Sequence, residues 1–390
     1  MTYPPNDHHA AAALRAGAGS STTASITIPR TWRQPPDEQT YQVTYRNLGS
    51  SDEPVLSASI HGARYHLDDP IRLQPVNIPK PWGRECWYTG IEARGESMVL
   101  GEGGRLGLGS YLGLAPDRLC RRQPLVLLKV LEPLPVPVRG DLYLEVHETK
   151  QEVYVVTHID PVAWPDGQGR MRYGANQALR ARYADDHAFR EAFLAAAESY
   201  EAVRRAIDAG DSRLEEEEAR ARQAVLAFTA ERSLRVGDVV SVPTWLPHSL
   251  QHGVRVVEFQ TPTYERFIVA SSQRVLTQDR WDSARAISRM RLDSPPDPAP
   301  KPVSRGVHRI VRFDDFGVWQ AELDAGASVS LPGTLPYALA LCISGEIQLP
   351  GTGRELRLTD GQAAFVPAMA VGRAINATAT SRLLLAAPGL

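Results

Sequence analysis

Gly237-Asp-Val-Val-Ser-Val-Pro243 recurs as Gly361-Gln-Ala-Ala-Phe-Val-Pro367. Each copy follows an apolar–polar alternation, Leu234 and Val236 in the first case and Leu356 and Leu358 in the second. In this frame glycine permits a tight turn and the alternating residues make one strand. Proline, which cannot donate to a ladder, ends that strand at a sheet edge. One copy is a weak signal, but two copies in like contexts point to a duplicated β unit. The surroundings agree: Gln42 to Val76, Leu125 to Thr157, Leu234 to Val269 and Arg309 to Pro388 all show short apolar stretches separated by turn residues,.

Residues 176–230 break this texture. They contain almost no Pro or Gly, and Phe189, Phe193, Tyr200, Val203, Ile207, Leu214, Val225 and Phe228 follow helical spacing,. Ser212 followed by Glu215 matches a capping box for the last helix, and Glu215 to Glu218 read as its solvated first turn,. The proline-rich run Asp293 to Gly306 reads as an extended linker,. Gly101 to Ser110 lacks the spacing of a nucleotide-binding loop and reads as a turn-rich loop,.

The expected organisation is a flexible tail over 1–34, with His8 and His9 solvent-exposed in it, and a chemically active domain formed by 35–175 with 231–292. An inserted helical domain over 176–230, a linker over 293–306 and a structural domain over 307–390 complete it.

Composition narrows the function classes. With 43 Lys and Arg against 45 Asp and Glu, the net charge of −2 provides no field for nucleic acid or an anionic membrane,. The three cysteines, Cys86, Cys120 and Cys342, lie too far apart for a thiolate metal site and are odd in number for a disulfide framework,. No apolar run is long enough for a membrane helix, and the first residues lack a secretory pattern, so a cytoplasmic protein is expected,. Oligomeric state is not readable.

The chemistry concentrates in Gly140-DLYL-Glu145-Val-His147-ETKQ-Glu152 and in Pro243-TWLP-His248. Side chains alternate along a strand, so Glu145 and His147 share a face, and a short turn returns Glu152 on a neighbouring strand. Two imidazoles and two carboxylates suit one divalent ion, zinc first, with iron, manganese or cobalt open to the same donors. The alternative is that Glu145 and Glu148 are ordinary exposed strand residues and His147 an interior histidine. The spacing and the G-x5-P frame resemble the paired motifs of cupins, with Glu145 where the first His usually stands. This resemblance implies a mainly β protein with an inserted α-helical segment, built on two cupin-type antiparallel β-barrels, a bicupin. The equivalent strand of the C-terminal repeat, LPYALALCISGEIQL, carries no His, so that barrel is expected to be structural.

Further segments resemble the type I phosphomannose isomerases, the mannose-6-phosphate isomerase family. Pro79-Lys80-Pro81-Trp82-Gly83-Arg84-Glu85-Cys86-Trp87 is similar to its K-x-W-G and E-x-W elements. Pro124 to Pro133 is similar to P-x-L-x-K-x-L-(D/E), and Lys150-Gln-Glu152-Val-Tyr154 to K-x-E-x-W-Y. GDVVSVPTWLPHSL resembles G-D-x-x-x-x-P-x-G-x-x-H, and Glu258-Phe-Gln260-Thr-Pro-Thr-Tyr264 resembles E-x-Q followed by T-Y-R. The order of these segments spans about residue 40 to 390.

The resemblance implies metal ligands at Glu145, His147, Glu152 and His248, with Glu in place of the Gln of the family's Q-V-H-P element. A second alignment sets Pro137 and Arg139 there instead and would make a metal-free relative. It further implies proton transfer at Glu258 and a lysine near metal and sugar at Lys150, which otherwise reads as a solvated hairpin residue. Arg266 is the matching cation, although Glu265 intervenes after Tyr264 and a one-residue slip in a strand reverses its face; Arg255 is the alternative cation. The implied activity is isomerisation of mannose 6-phosphate to fructose 6-phosphate, with a small sugar phosphate as partner. Another metal cupin enzyme such as a dioxygenase, and a non-catalytic sugar-binding or regulatory bicupin, are the competing readings.

Overall fold

The computed structural model describes residues 3–50, 53–137, 142–272, 280–296, 298–352 and 354–389. Strands dominate, and the helices concentrate between residues 177 and 226. Among the described strands no sheet closes into a barrel; the strands form open sheets. The chain divides into two units, one of 1–78, 86–129 and 299–390, the other of 79–85 and 130–298.

The second unit holds the chemically dense segments. One of its sheets includes, in order, Val239–Val242, Glu152–Ile159 and Val254–Gln260. The other runs Thr229–Leu234, Gly169–Ala175, His248–Leu250, Leu144–Val146, Phe267–Val269. Alternate residues from both sheets, among them Tyr154, Val156, Met171, Tyr173, Val240, Val242, Val254 and Val256, enter one shared apolar core. At about 25 cal/mol per Å² of apolar surface removed from water, this sandwich filling is the main force holding the sheets together.

The insertion is helical, as the spacing predicts. Asp186–Asp208 places Phe189, Phe193, Ala197, Tyr200 and Val203 on its buried side, and Asp185 caps it by accepting from the Ala188 N–H. Phe189, Phe193, Ala197 and Tyr200 form a second core with Leu144, Val146, Val225, Phe228 and Val269. The capping box does not form. Ser212 begins a 3-10 turn capped by Asp211, and the following helix is Glu215–Leu226. Nor is the acidic run wholly solvated: Glu218 is buried and accepts a hydrogen bond from Tyr200 at 2.9 Å.

The first unit corrects four expectations. Residues 1–34 are not a loose tail, since they include the helix Asp7–Arg15 and the strand Ser21–Arg30. That strand pairs with Asp37–Asn47 and buries Ala24, Ile26 and Ile28, an alternation present in STTASITIPR. In the helix, His8 is exposed and His9 half-buried. Residues 35–78 and 86–129 belong with the C-terminal segment rather than with the metal-ligand candidates. Within the proline-rich run, Lys301–Ser304 is a strand paired with Val307–Arg312. Gly101 to Ser110 likewise is not a loop: it completes a hairpin of Met98–Gly101 with Gly104–Gly107 and opens the helix Leu108–Leu112.

The duplication is visible as backbone bonding. Gly237, at φ +98°, donates to the Val156 carbonyl at 2.9 Å, and Val156 donates to Asp238 at 2.9 Å. Gly361, at φ +73°, donates to Cys342 at 2.8 Å, and Cys342 donates to Gln362 at 3.0 Å. Both glycines occupy the left-handed region that a side chain would penalise. All three cysteines are free thiols, and no described helix is long and apolar enough to cross a membrane.

Candidate metal centre and active site

Two sheets contribute the cluster. Glu145 and His248 face one another directly across an antiparallel pair, which puts their side chains on one face,. His147 follows immediately after the strand Leu144–Val146. Glu152 opens a strand of the opposite sheet, not of the neighbouring strand, so the candidate ligands converge across the sandwich. One donor atom each from Glu145, His147 and His248 fall within 4.8 Å of one another. His147 Nε2 lies 3.8 Å from Glu145 Oε1 and 3.5 Å from Glu152 Oε1, and His248 Nε2 lies 3.1 Å from Glu152 Oε2.

Glu152 stands beside that trio. Lys150 Nζ is 2.5 Å from its Oε1, and the Tyr154 hydroxyl donates to its Oε2 at 2.8 Å. Lys150 is 3% exposed, so it is not a solvated hairpin residue. Burial by itself would raise the Glu152 pKa, but Lys150, His147 and His248 together hold it well below the carboxylate range,. Burial, then Lys150, pushes His147 well below the usual imidazole value, favouring the neutral ring a metal requires,. Burial, then Glu152, raises the Tyr154 phenol.

Both ring nitrogens of His147, Nε2 of His248 and Oε2 of Glu145 are buried without a hydrogen bond. His248 Nδ1 meets the Leu246 carbonyl at 2.9 Å, leaving Nε2 to the cluster. Buried polar groups are nearly always satisfied, so this concentration of donors with outstanding capacity fits a divalent cation.

Arg266 reaches the cluster despite the intervening Glu265, with Nε 3.4 Å from Glu145 Oε2. The slip argument fails because residues 261–266 are not in a strand, and alternation starts only at Phe267. Glu265 itself accepts from the N–H of Thr149 at 3.0 Å and from the N–H of Glu148, fastening the turn between His147 and Lys150. Arg266 also lies against Tyr143 and Tyr264. Arg255, by contrast, is exposed and 3.9 Å from Glu132, away from the cluster. Glu148 pairs with Arg285 at 2.6 Å. In the competing alignment Pro137 is exposed, and Arg139 lies outside the described residues.

Glu258 and Gln260 sit on the strand Val254–Gln260, opposite Tyr154 and Glu152 respectively, and both are buried. The duplication shows that this polar lining is particular to one repeat. Glu152 pairs with Val242 as Ala338 pairs with Val366, and Tyr154 pairs with Glu258 as Ala340 pairs with Leu385. By the same register Ala387 takes the place of Gln260, and Ala338, Ala340, Leu385 and Ala387 all lie in the apolar core of the other repeat. Tyr154, Gln260 and Trp245 were not assigned roles from sequence. For the first two, position within K-x-E-x-W-Y and E-x-Q was the signal that pointed to them.

No family model matches the sequence, and no curated protein matches it. Solved structures do match. Mannose 6-phosphate isomerase from Bacillus subtilis superposes with a TM-score of 0.56 at 17% identity, over 82% of this chain and 99% of that one. A zinc-bound mannose 6-phosphate isomerase gives 0.63 at 15% identity over 83% and 100%. The fold is that of these isomerases. The apo enzyme from Salmonella typhimurium gives 0.62 at 15% identity, again over 83% and 100%.

Proposed function

We propose that this chain is a metal-dependent aldose–ketose isomerase that converts mannose 6-phosphate to fructose 6-phosphate in the cytoplasm, on a bicupin scaffold whose C-terminal repeat is structural. The observation that carries the reading is the convergence of Glu145, His147 and His248 within 4.8 Å, with buried donor atoms left over. In this reading Glu145, His147, Glu152 and His248 hold the ion, most simply zinc, with iron, manganese or cobalt admissible. A bound divalent ion would supply polarisation of the substrate oxygens.

The chain's own groups account for the rest. Glu258 takes the proton from C2 of the aldose as the C1 carbonyl oxygen gains one, giving the enediol; the carboxyl then returns its proton to C1 as the C2 hydroxyl gives up its own, which balances the proton gained at O1 and leaves the ketose. Lys150 keeps Glu152 ionised and presents its ammonium group at the substrate oxygens. Arg266 balances Glu145 and adds a second cation for an anionic substrate. The sandwich walls exclude bulk water, which strengthens each of these charge interactions.

The test is elemental analysis combined with turnover of mannose 6-phosphate. About one divalent ion per chain and measurable fructose 6-phosphate are expected. Unchanged metal content in both His147→Ala and His248→Ala would refute the ligand set, and a metal-loaded protein without turnover would refute the isomerase reading.

A further inference from the structure

Gln260 stands directly opposite Glu152 in the antiparallel pair, so the two side chains share a face,. It is 4% exposed. Its amide nitrogen donates to the carbonyls of Thr261 at 3.2 Å and Thr263 at 3.4 Å. These two acceptors fix the orientation of the amide, because the reversed group would set its oxygen against two carbonyl oxygens. The remaining atom, Oε1, is buried and has no hydrogen-bond partner.

An orphaned acceptor costs the full desolvation of that group, a cost the fold does not require here, since the corresponding position of the other repeat is Ala387,. An amide oxygen only accepts. A phosphate at neutral pH presents further acceptors and gains nothing from it, whereas a sugar hydroxyl donates. We propose that Gln260 Oε1 accepts a hydrogen bond from a hydroxyl of the sugar substrate beside the metal centre, making Gln260 a specificity-determining residue. The assignment rests on the sugar-phosphate reading above. Its nitrogen meanwhile anchors the turn that leads to Tyr264 and Arg266, so the residue couples hydroxyl recognition to the placement of that cation.

The experiment compares metal-loaded wild type with Gln260→Met, using calorimetric binding and turnover of mannose 6-phosphate and its 3-deoxy and 4-deoxy analogues. Wild type is expected to bind one analogue about 10- to 100-fold more weakly than the parent sugar, the span of one lost buried hydrogen bond. Gln260→Met should lose a similar factor for the parent and no more for that analogue, the non-additivity expected of two halves of one contact. Equal discrimination by both proteins overturns the proposal, as does equal wild-type affinity for parent and analogues. Loss of metal from a folded Gln260→Met also overturns it, marking Gln260 as a ligand. If Gln260→Met does not fold, Gln260→Ala, the residue the other repeat carries as Ala387, takes its place in the same comparison, and retention of the wild-type discrimination there counts against the proposal. Binding with this pattern but without turnover would refute the isomerase reading alone, and no sugar-phosphate binding at all would refute both.

Discussion

The backbone N–H of Trp245 donates to the carbonyl of His147 at 2.6 Å, tying the turn before one imidazole to the residue that carries the other. Trp245 stands at φ +63°, where the resembling family element P-x-G-x-x-H has glycine. The left-handed backbone explains the glycine of that element, since a side chain there costs of order 1 kcal/mol or more. Here the indole stacks on Phe267 at 5.7 Å, which offsets the strain,.

Trp245→Gly is therefore expected to keep the turn and the metal while losing the stacking. Trp245→Val adds a β-branched residue at the same φ and should weaken metal binding by at least tenfold. Competition with a chromophoric chelator measures both, and equal affinities would contradict the role given to the turn.

Separating ligands from proton transfer gives a second outcome. Glu258→Gln should retain metal and lose about 10²–10⁴ in kcat, whereas His248→Ala should lose both metal and turnover. Full activity in folded, metal-loaded Glu258→Gln would remove Glu258 from the chemistry.

Acidification should destabilise the metal-free protein. His147 is held below its ordinary value near 6.5, so as pH falls through that value the unfolded chain takes a proton that the folded chain refuses,. Glu152 is held below 4.5, so the unfolded chain again protonates first,. Both contributions are present at neutral pH and are lost as pH falls, each with a limiting slope of about 1.4 kcal/mol per pH unit. Urea midpoints of chelator-treated protein between pH 8 and 4 should decline below about 6.5, and less steeply in His147→Gln. A flat profile down to pH 5 would contradict the placement of His147.

Arg266→Met removes the cation facing Glu145 and should destabilise the metal-free protein by about 1–3 kcal/mol, below the cost of breaking a fully buried pair because both side chains keep some solvent contact,. Adding Glu145→Gln should recover part of that loss. Chemical denaturation of the double-mutant cycle reads this directly, and strict additivity would show the pair to be uncoupled.

Local patterns were legible where the physics is local. The helical spacing of Phe189, Phe193 and Tyr200, the strand alternation, and the turn glycines Gly237 and Gly361 all reside in neighbouring residues. The motif spacings likewise picked out Glu145, His147, His248 and Glu258, which the fold gathers in one unit. What the sequence by itself determined was thus the element types of these segments and the chemical inventory.

Tertiary structure decided sheet membership and ionic partnership. Glu152 enters from the opposite sheet, Lys150 is buried against it, and Arg266 reaches Glu145 through an irregular segment to which alternation does not apply. Likewise, Ser21–Arg30 carries an alternation in its own sequence, but its burial depends on pairing with Asp37–Asn47. Side-chain period follows from backbone sterics within a few residues. Which strand lies opposite, and which charge meets which, depends on burial shared between segments as far apart as Glu145 and Arg266, and no single window of the chain contains it.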